Sequence, residues 1–261
     1  MFALLFSPVF RWKRPFLVRR NRRTLIPGSD YKTDRGALPR RMGGGKWLSK
    51  SICIMGESGS GKTTSMRTLD PKTTFYIDCD GKGLAWKGWK SQYNAENKNY
   101  KRIRDIQQIQ NILTAINVKA NQIKTVVIDT LNTCMLDHEI KEMKNGGYGK
   151  WIDLTQYVWE ICSIAGTLRD DLTVIIIMHS ETIREETGYS FTRIKTNGRK
   201  LEKVVLESLF STVLLAKRAE NGKYIFETQS QNSTAKSPMG AINQPEIDND
   251  ITLVLEALKE F

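Results

Sequence analysis

The sequence predicts an α/β fold, with helices covering a mostly parallel β-sheet and an antiparallel hairpin near the C-terminus. First, a Gly-x4-Gly-Lys-Thr loop at residues 56–63 lies between an apolar run and a stretch with helical character. Second, strand-like apolar runs alternate with helical stretches along the chain, which favours a parallel sheet. Third, the continuous apolar run 172–178 is typical of a central strand buried on both faces.

The first half of the chain predicts four strands and two helices. Residues 48–55 form the first strand, and residues 56–69 form the glycine-rich loop and a helix that Asp70-Pro71 ends. Residues 73–78 are rich in β-branched and aromatic side chains and predict a second strand, followed by a short strand at 100–103. A helix with Asp105 as its N-cap is predicted over 105–120, and a buried strand over 124–130.

The second half continues this alternation. Helices are predicted over 131–144 and 151–169, on either side of the glycine-rich segment 145–149. The strand at 172–178 leads into the polar and basic stretch 181–200, which lacks a period and predicts a long loop or hairpin. The remaining predictions are a helix at 201–210, strands at 212–216 and 224–228 joined by an Asn-Gly turn, and a final helix from about residue 251.

Composition limits the kind of protein and the place where it works. No apolar run approaches the roughly 20 residues that span a bilayer, so we expect a cytoplasmic protein without a membrane partner. The four cysteines are scattered without a C-x-x-C pair, which indicates reduced thiols rather than disulfides or a zinc site. The two histidines have no metal-ligand spacing.

The net charge of +12 is unevenly distributed. Residues 1–41 hold 11 Lys/Arg and 2 Asp, a net of +9, whereas residues 42–261 hold 29 Lys/Arg and 26 Asp/Glu, a net of +3. We therefore predict a basic, disordered arm at 1–41 and one folded domain at 42–261. The arginines of the arm follow its apolar segment, which excludes the order of a secretory signal. The arm either touches phosphates or is upstream sequence of a native chain that begins at Met42.

The glycine-rich loop carries the strongest functional signal. Its glycines let successive N–H groups converge on one concavity, and the start of the predicted helix adds positive potential there. Lys62 would contact the β- and γ-phosphates of a nucleoside triphosphate, and the Thr63 hydroxyl would ligate Mg²⁺. The predicted nucleotide-binding residues are Gly56, Glu57, Ser58, Gly59, Ser60, Gly61, Lys62, Thr63 and Thr64. The sequence thus predicts binding of Mg²⁺ and ATP.

Polar side chains at strand ends complete this predicted site, because ligands of open α/β sheets bind at the carboxyl ends of strands. Asp129 ends an apolar strand and is predicted to hold Mg²⁺ with Thr63. Asp80 follows the second strand and is predicted to orient or deprotonate the attacking water, with Asp78 as the alternative. Either carboxylate could instead cap the turn. His179 is interpreted as a γ-phosphate sensor or as a structural histidine.

The segment 181–203 mixes basic and aromatic side chains, a combination that suits single-stranded nucleic acid. Glu181, Glu185 and Glu186 offset part of the charge of this segment, so a solvated loop is the alternative. The predicted nucleic-acid contacts are Arg184, Arg193, Lys195, Arg199 and Lys200, with Lys203, Tyr189 and Phe191 nearby.

The order of these motifs resembles the RecA-type recombination ATPases. More closely, residues 46–261 resemble the phage-encoded RecA-like/AAA P-loop ATPases of the single-strand annealing type. Residues 75–80 resemble the RecA strand that ends in the catalytic glutamate, which implies that role for Asp80 with a shorter reach. Residues 197–201 are similar to the exit from RecA's second DNA-binding loop. The segment 235–238 resembles a late lysine-proline segment, which implies that Lys236 reaches a neighbouring subunit's nucleotide.

This resemblance implies a RecA-like P-loop NTPase fold and a DNA-stimulated Mg-ATPase that assists single-strand annealing in a phage. The implied partners are single-stranded DNA, further copies of the chain with ATP sites at their interfaces, and a single-strand-binding protein, all in the host cytoplasm. RecA's separate C-terminal domain has no counterpart, so a RecA-like filament is not implied. The alternatives are a RecA-like helicase or other DNA motor, a nucleotide or small-molecule kinase, and a nucleotide-gated interaction module.

Overall fold

The computed structural model describes residues 49–143, 149–197 and 201–261. Residues 47–261 form one compact unit. The predicted basic arm at 1–41 lies outside the described residues. Within the described ranges, no helix is long and apolar enough to cross a membrane.

The unit at 47–261 is built on a β-sheet. Its described strands are β1 Lys50–Gly56, β2 Thr74–Asp78, β3 Tyr100–Arg102, β4 Thr125–Asp129, β5 Thr173–Arg184, β6 Ser190–Ile194, β7 Thr212–Arg218, β8 Tyr224–Glu227 and β9 Glu246–Asp248. Its described α-helices are α1 Trp89–Gln92, α2 Ile106–Lys119, α3 Leu131–Glu142, α4 Gly149–Ala165 and α5 Ile251–Ala257. Short α1 and β9 have no counterpart in the sequence prediction, since neither is long enough to show a period.

The sheet has the order β3-β2-β4-β5-β1-β7-β8-β9, and β6 pairs with the far half of β5. The pairs from β3 to β7 are parallel, and the pairs β7–β8, β8–β9 and β5–β6 are antiparallel. The predicted architecture is therefore confirmed: a mostly parallel sheet, flanked by helices, that ends in an antiparallel hairpin.

The central strands are buried on both faces, which explains their continuous apolar runs. On one face, Ile52 and Ile54 pack in a cluster with Met66 and with Val254 of α5. The intervening Cys53 and Met55 point to the other face and are also fully buried. Helix α4 packs against α2, β1 and β5. The sheet is thus held between helical layers, and the loops at its carboxyl edge are fixed by rigid strands.

The parallel register brings the predicted functional positions to one edge. Asp78 of β2 lies beside Asp129 of β4, and Asp129 lies beside Ile177 of β5. Two residues further on, His179 pairs with Gly56 at the end of β1. The carboxyl ends of β1, β2 and β4 therefore meet, beside the middle of β5, where a ligand of an open α/β sheet would bind.

The α-helix predicted after the glycine-rich loop is wrong. Only a 3-10 turn forms at Thr64–Met66. The backbone N–H groups of Met66, Arg67 and Leu69 donate to the carbonyl three residues earlier. The side chains of this turn are held by distant residues, because Arg67 Nη1 donates to Asn249 O at 2.8 Å and Thr68 Oγ1 donates to Asp250 Oδ1 at 2.6 Å. With Asp70-Pro71 close behind, no room is left for an α-helix. The positive potential that the sequence predicts from a helix start at this loop is therefore also wrong, because the dipole of a single 3-10 turn is small.

The helix predicted at 201–210 is also wrong. Two 3-10 turns, Leu201–Lys203 and Leu206–Leu209, take its place. The buried carboxylate of Glu207 accepts hydrogen bonds from Ile194 N at 2.9 Å and from Thr234 Oγ1 at 3.2 Å. These contacts with β6 and with the 233–236 segment fix the chain in place of helical packing.

The segment after the 172–178 strand is a hairpin, one of the two predicted forms. Strand β5 continues to Arg184, and β6 returns antiparallel to it with Ser180 opposite Ile194. The predicted helix at 151–169 is confirmed with shifted ends, because α4 begins at Gly149 and ends at Ala165. The predicted cap is also confirmed, since Asp105 accepts a hydrogen bond from Gln108 N.

We expect Glu207→Ala to lower the free energy of unfolding by about 1–3 kcal/mol, because the buried Ile194 N–H loses its acceptor. Glu207→Gln keeps a carbonyl oxygen at this position and is the matched control, with a smaller loss. Urea unfolding of both variants measures the difference. Equal stability of Glu207→Ala and the wild type would contradict the structural role given to this carboxylate.

Candidate nucleotide-binding site

The glycines of the 56–63 loop are required by space and by backbone conformation. A Cβ atom on Gly56 would lie 2.5 Å from Ala216 O of β7 and 2.5 Å from Ser60 Oγ. Gly59 and Gly61 have φ angles of +80° and +90°, which side-chain-bearing residues rarely adopt. The loop therefore lies tightly against β7 and makes two left-handed turns that glycine adopts without strain.

Lys62 folds back across this loop. Its Nζ donates to Gly56 O at 2.7 Å and to Glu57 O at 2.6 Å, and the residue is only 6% exposed. Burial lowers the pKa of Lys62 to about 8, although the negative charge of Asp129 opposes this shift. A cation held inside the loop is placed to meet an anion bound by the loop.

Thr63 and Asp129 meet, as the sequence predicts for a pair that holds a metal. Thr63 Oγ1 donates to Asp129 Oδ2 at 2.8 Å, although β5 lies between β1 and β4 in the sheet. Tyr76 OH donates to the same oxygen at 2.7 Å, and Thr130 Oγ1 donates to Oδ1 at 2.9 Å. Burial raises the pKa of the Asp129 carboxyl, and these three hydrogen bonds oppose that rise. The carboxylate is thus fixed in one orientation beside the loop.

Asp78 has a structural role in the turn after β2. Its carboxylate is 3% exposed and accepts hydrogen bonds from Gly81 N at 2.7 Å and Gly83 N at 2.9 Å. Tyr100 OH adds a third hydrogen bond at 2.6 Å. Because these donors occupy its lone pairs, Asp78 closes the turn and presents little free acceptor capacity.

Asp80 lies on the site side of the same turn. It accepts hydrogen bonds from Lys82 Nζ and from Thr133 Oγ1, both at 2.5 Å. Burial alone would raise the pKa of Asp80, but these two hydrogen bonds outweigh it and leave the pKa below its ordinary value. An ionised carboxylate at the end of β2, close to the first turn of α3, is what a water-activating role requires.

His179 shares the electrostatic environment of this site. Burial lowers the pKa of His179, the charge of Lys62 lowers it further, and the charge of Asp80 opposes both. The imidazole is therefore neutral at pH 7 and able to donate or accept a hydrogen bond.

Asn132 is a contact that the sequence prediction missed. This buried side chain accepts a hydrogen bond from His179 N at 2.7 Å and donates one to Lys195 O at 2.8 Å. It therefore joins the start of α3 to both sides of the β5–β6 hairpin base. The only signal for it in the sequence is a polar amide three residues after Asp129, at the start of the helix predicted over 131–144.

Lys236 pairs with Val213 near the start of β7, away from the carboxyl ends of the strands. Its N–H donates to Val213 O at 2.8 Å, and its carbonyl accepts from Val213 N at 2.8 Å. Val213 pairs with Cys53 in the middle of β1. The role predicted for Lys236 concerns the nucleotide of a neighbouring subunit, and it stays a prediction.

The predicted nucleic-acid residues are only partly described. Arg199 and Lys200 lie outside the described residues. In the hairpin, Arg193 Nε forms an ion pair with Glu181 Oε1 at 2.9 Å, and the Tyr189 and Phe191 rings stack with centroids 6.1 Å apart. Residues 181–195 hold three basic and three acidic side chains, so this part of the hairpin has no net charge. Its DNA contact stays a prediction.

A polar cavity of about 480 Å³ opens beside the loop. Its walls are loop residues 57–60, the end of β7, and the hairpin residues Ser180, Thr182 and Thr192. The hydroxyls of Ser60 and Ser180 are buried, and no hydrogen-bond partner is found for them in the described part of the chain. The cavity has the size of a small-ligand site, but Lys62, Thr63 and Asp129 are not among the residues that line it.

The residues present fit Mg²⁺. No cluster of three metal-ligating side chains occurs in the described ranges. Mg²⁺ does not need one, because it is usually held by one or two protein oxygens together with substrate phosphates and water. Thr63 and Asp129 supply two such oxygens beside the phosphate-binding loop.

Comparison with known proteins agrees with this geometry. The family model described as an AAA domain matches residues 49–239, which is most of the chain. No curated protein matches the sequence. The matched range contains the glycine-rich loop, Asp80, Asp129 and the β5–β6 hairpin, on a mostly parallel sheet of the P-loop NTPase kind. The protein therefore belongs to the AAA domain family.

Proposed function

We propose that the protein is a Mg²⁺-dependent ATPase whose turnover responds to single-stranded DNA. The observation that carries the ATPase part is the 2.8 Å hydrogen bond between Thr63 and Asp129, next to the loop that encloses Lys62. Family membership supports nucleotide binding in general. The arrangement of side chains supports hydrolysis.

Each side chain has a defined task in this proposal. Lys62 neutralises the β- and γ-phosphates, and Thr63 and Asp129 hold the metal ion. A threonine hydroxyl has one hydrogen to donate and two lone pairs, so Thr63 can bond to Asp129 and still face a cation. The bound Mg²⁺ would neutralise charge that develops on the phosphate oxygens. Tyr76 and Thr130 keep Asp129 in position.

Asp80 is the proposed group that orients or deprotonates the attacking water. It is ionised and fixed by Lys82 and Thr133, whereas Asp78 is committed to the turn. The side chain of Asp80 is 12% exposed, so a water molecule can reach it. An aspartate reaches less far than a glutamate, and the proposal therefore needs the nucleotide to lie close to the end of β2.

We further propose that this ATPase is oligomeric and assists single-strand annealing in a phage, with a single-strand-binding protein as an additional partner. The motif order supports it through the resemblance to RecA-like annealing ATPases. Asn132 adds a physical route, because it bonds to the backbone of both His179 and Lys195. This amide thereby couples the base of the β5–β6 hairpin to a residue two positions beyond the level of Asp129.

The affinity for Mg-ATP should fall as the pH rises above about 8. The pKa of Lys62 is lowered to about 8 by burial, so the amine loses its charge from that pH upward and no longer attracts phosphate. We expect the affinity to drop by up to tenfold per pH unit until the pKa of the bound state is reached. Binding of a fluorescent ATP analogue between pH 7 and 9.5 measures this.

Lys62→Arg is the matched control for this pH dependence, because an arginine keeps its charge over the whole range. Its affinity should be lower than that of the wild type but flat with pH. The same decline in both proteins would show that another group titrates, and the role given to Lys62 would be wrong.

Substitution of Asp80 should mainly lower the rate of ATP hydrolysis, whereas substitution of Asp78 should mainly lower the stability of the fold. Asp80→Asn should lower kcat by about 10²–10⁴-fold with ATP affinity nearly unchanged, because it removes the proposed base. Asp78→Asn should mainly lower the free energy of unfolding, by about 1–3 kcal/mol, because it weakens the hydrogen bonds that close the turn. Phosphate release and urea unfolding on both variants test this. Full turnover by Asp80→Asn would assign the base to another residue.

The overall proposal is tested by ATP hydrolysis on the full chain, with and without single-stranded DNA, over a series of salt concentrations. Stimulation that fades with salt is expected, because strand binding releases counterions. Lys62→Ala should abolish turnover and keep the fold. Turnover that ignores DNA would favour a kinase or a nucleotide switch, and directional unwinding of duplexes would favour a DNA motor.

A further inference from the structure

The highest positive charge density in the described part of the chain lies at 82–104. This segment holds seven Lys/Arg and one Glu, a net of +6, which exceeds the net of +3 for the whole of residues 42–261. It also contains two tryptophans and two tyrosines. Residues 181–195 of the hairpin predicted to bind nucleic acid have no net charge, so the segment 82–104 attracts a polyanion more strongly than that part of the hairpin does.

The segment lies at one edge of the sheet. Strand β3 ends the strand order and pairs only with β2 among the described strands. The rings of Trp89 and Tyr100 are in contact, with centroids 5.5 Å apart and planes tilted by 45°. Trp89 lies so close to Gly83 that a Cβ there would be 2.6 Å from its Cζ2 atom. Both rings are half-buried, so each is fixed and still presents surface to solvent.

Two exposed cations contact these rings, and two further exposed cations lie within two residues of Gly83 or Arg102 along the chain. Lys90 Nζ lies 6.0 Å from the Trp89 ring centroid, and Arg102 Nε donates to Tyr100 OH at 3.1 Å. The other two are Lys82 and Arg104. We refer to Lys82, Trp89, Lys90, Tyr100, Arg102 and Arg104 as the edge platform.

The edge platform continues to the proposed catalytic carboxylate. Lys82 Nζ binds the Asp80 carboxylate at 2.5 Å while two thirds of its side chain, 67%, stays exposed. Arg104 donates to the backbone oxygens of Cys79 at 3.1 Å and Asp80 at 3.0 Å. A phosphate on the platform would compete with Asp80 for Lys82 and change the environment of that carboxylate.

We propose that the edge platform binds single-stranded nucleic acid, with its cations on the phosphates and with bases stacked on Trp89 and Tyr100. Unpaired bases expose flat faces that stack on fixed aromatic rings, and the neighbouring cations neutralise the strand. Duplex DNA hides those faces, and an acidic peptide lacks them. The inference rests on the proposed function, since it names the surface through which a strand stimulates the ATPase.

Photo-crosslinking maps the contact directly. The full chain is irradiated with an oligonucleotide that carries 5-bromodeoxyuridine, and the crosslinked peptides are identified by mass spectrometry. Crosslinks at Trp89 or Tyr100 are expected. Crosslinks confined to residues 1–46 or 181–203 would overturn the proposal.

Variants give the matching affinity test, measured by fluorescence anisotropy with labelled oligo-dT. Trp89→Ala should weaken binding about tenfold or more, because a stacking ring is lost. Arg102→Ala should weaken binding and lower the slope of log affinity against log salt by about one. Lys101→Ala is the matched control: it removes the same charge from the neighbouring position of β3, on the opposite face of the strand. Equal effects of Arg102→Ala and Lys101→Ala would overturn the proposal.

ATP hydrolysis separates failure of this inference from failure of the proposed function. In Trp89→Ala and Lys90→Glu, stimulation by oligo-dT should be lost while turnover without DNA is unchanged. If oligo-dT stimulates both variants as it does the wild type, the platform is wrong and the proposed function stands. If the wild type hydrolyses ATP but neither binds nor responds to oligo-dT, both the platform and the DNA part of the proposed function fail.

Misfolding of Trp89→Ala and binding of an acidic polypeptide to the edge platform are each tested separately. If Trp89→Ala does not fold, as judged by circular dichroism, exposed Lys90→Glu carries the test. If poly-glutamate displaces oligo-dT at equal charge and Trp89→Ala has no effect, the surface binds an acidic polypeptide, and the nucleic-acid proposal is overturned.

Discussion

The hydrogen bond between Thr63 and Asp129 is the contact on which the rest of the site depends. It joins the loop after β1 to the end of β4, although β5 lies between these strands in the sheet. It forms because the parallel register puts the end of β4 within two residues of the level of the end of β1, and because Gly56 lets the loop lie against β7. A shift of one residue in β4 would turn the Asp129 carboxylate to the other face of the sheet.

Much of this could be predicted from the sequence, because the signals were local. The loop motif, the apolar strands and Asp129 each follow from a short pattern, and the structure brings Lys62, Thr63 and Asp129 together as expected. The failures depend on contacts that are distant in sequence. A 3-10 turn forms after the loop instead of an α-helix, and the side chains of Arg67 and Thr68 fix it to residues 249 and 250, which no local pattern reveals.

The same limit applies to the choice between residues of one chemical type. The sequence left Asp78 and Asp80 as alternatives, and only the partners in the fold distinguish them. Charge counting along the chain likewise drew attention to the basic residues of the hairpin, while Glu181 neutralises Arg193 in the structure. The segment at 82–104 carries more net charge, and its significance depends on β3 being the edge strand.

The central claim is that Thr63 and Asp129 together hold the metal ion of a bound nucleotide. Electron paramagnetic resonance with Mn²⁺ in place of Mg²⁺ tests this most directly, as a titration of Mn²⁺ in the presence of a slowly hydrolysed ATP analogue. We expect nucleotide-dependent Mn²⁺ binding by the wild type, and binding at least tenfold weaker in both Thr63→Val and Asp129→Asn. Unchanged Mn²⁺ affinity in both variants would contradict it and place the metal elsewhere.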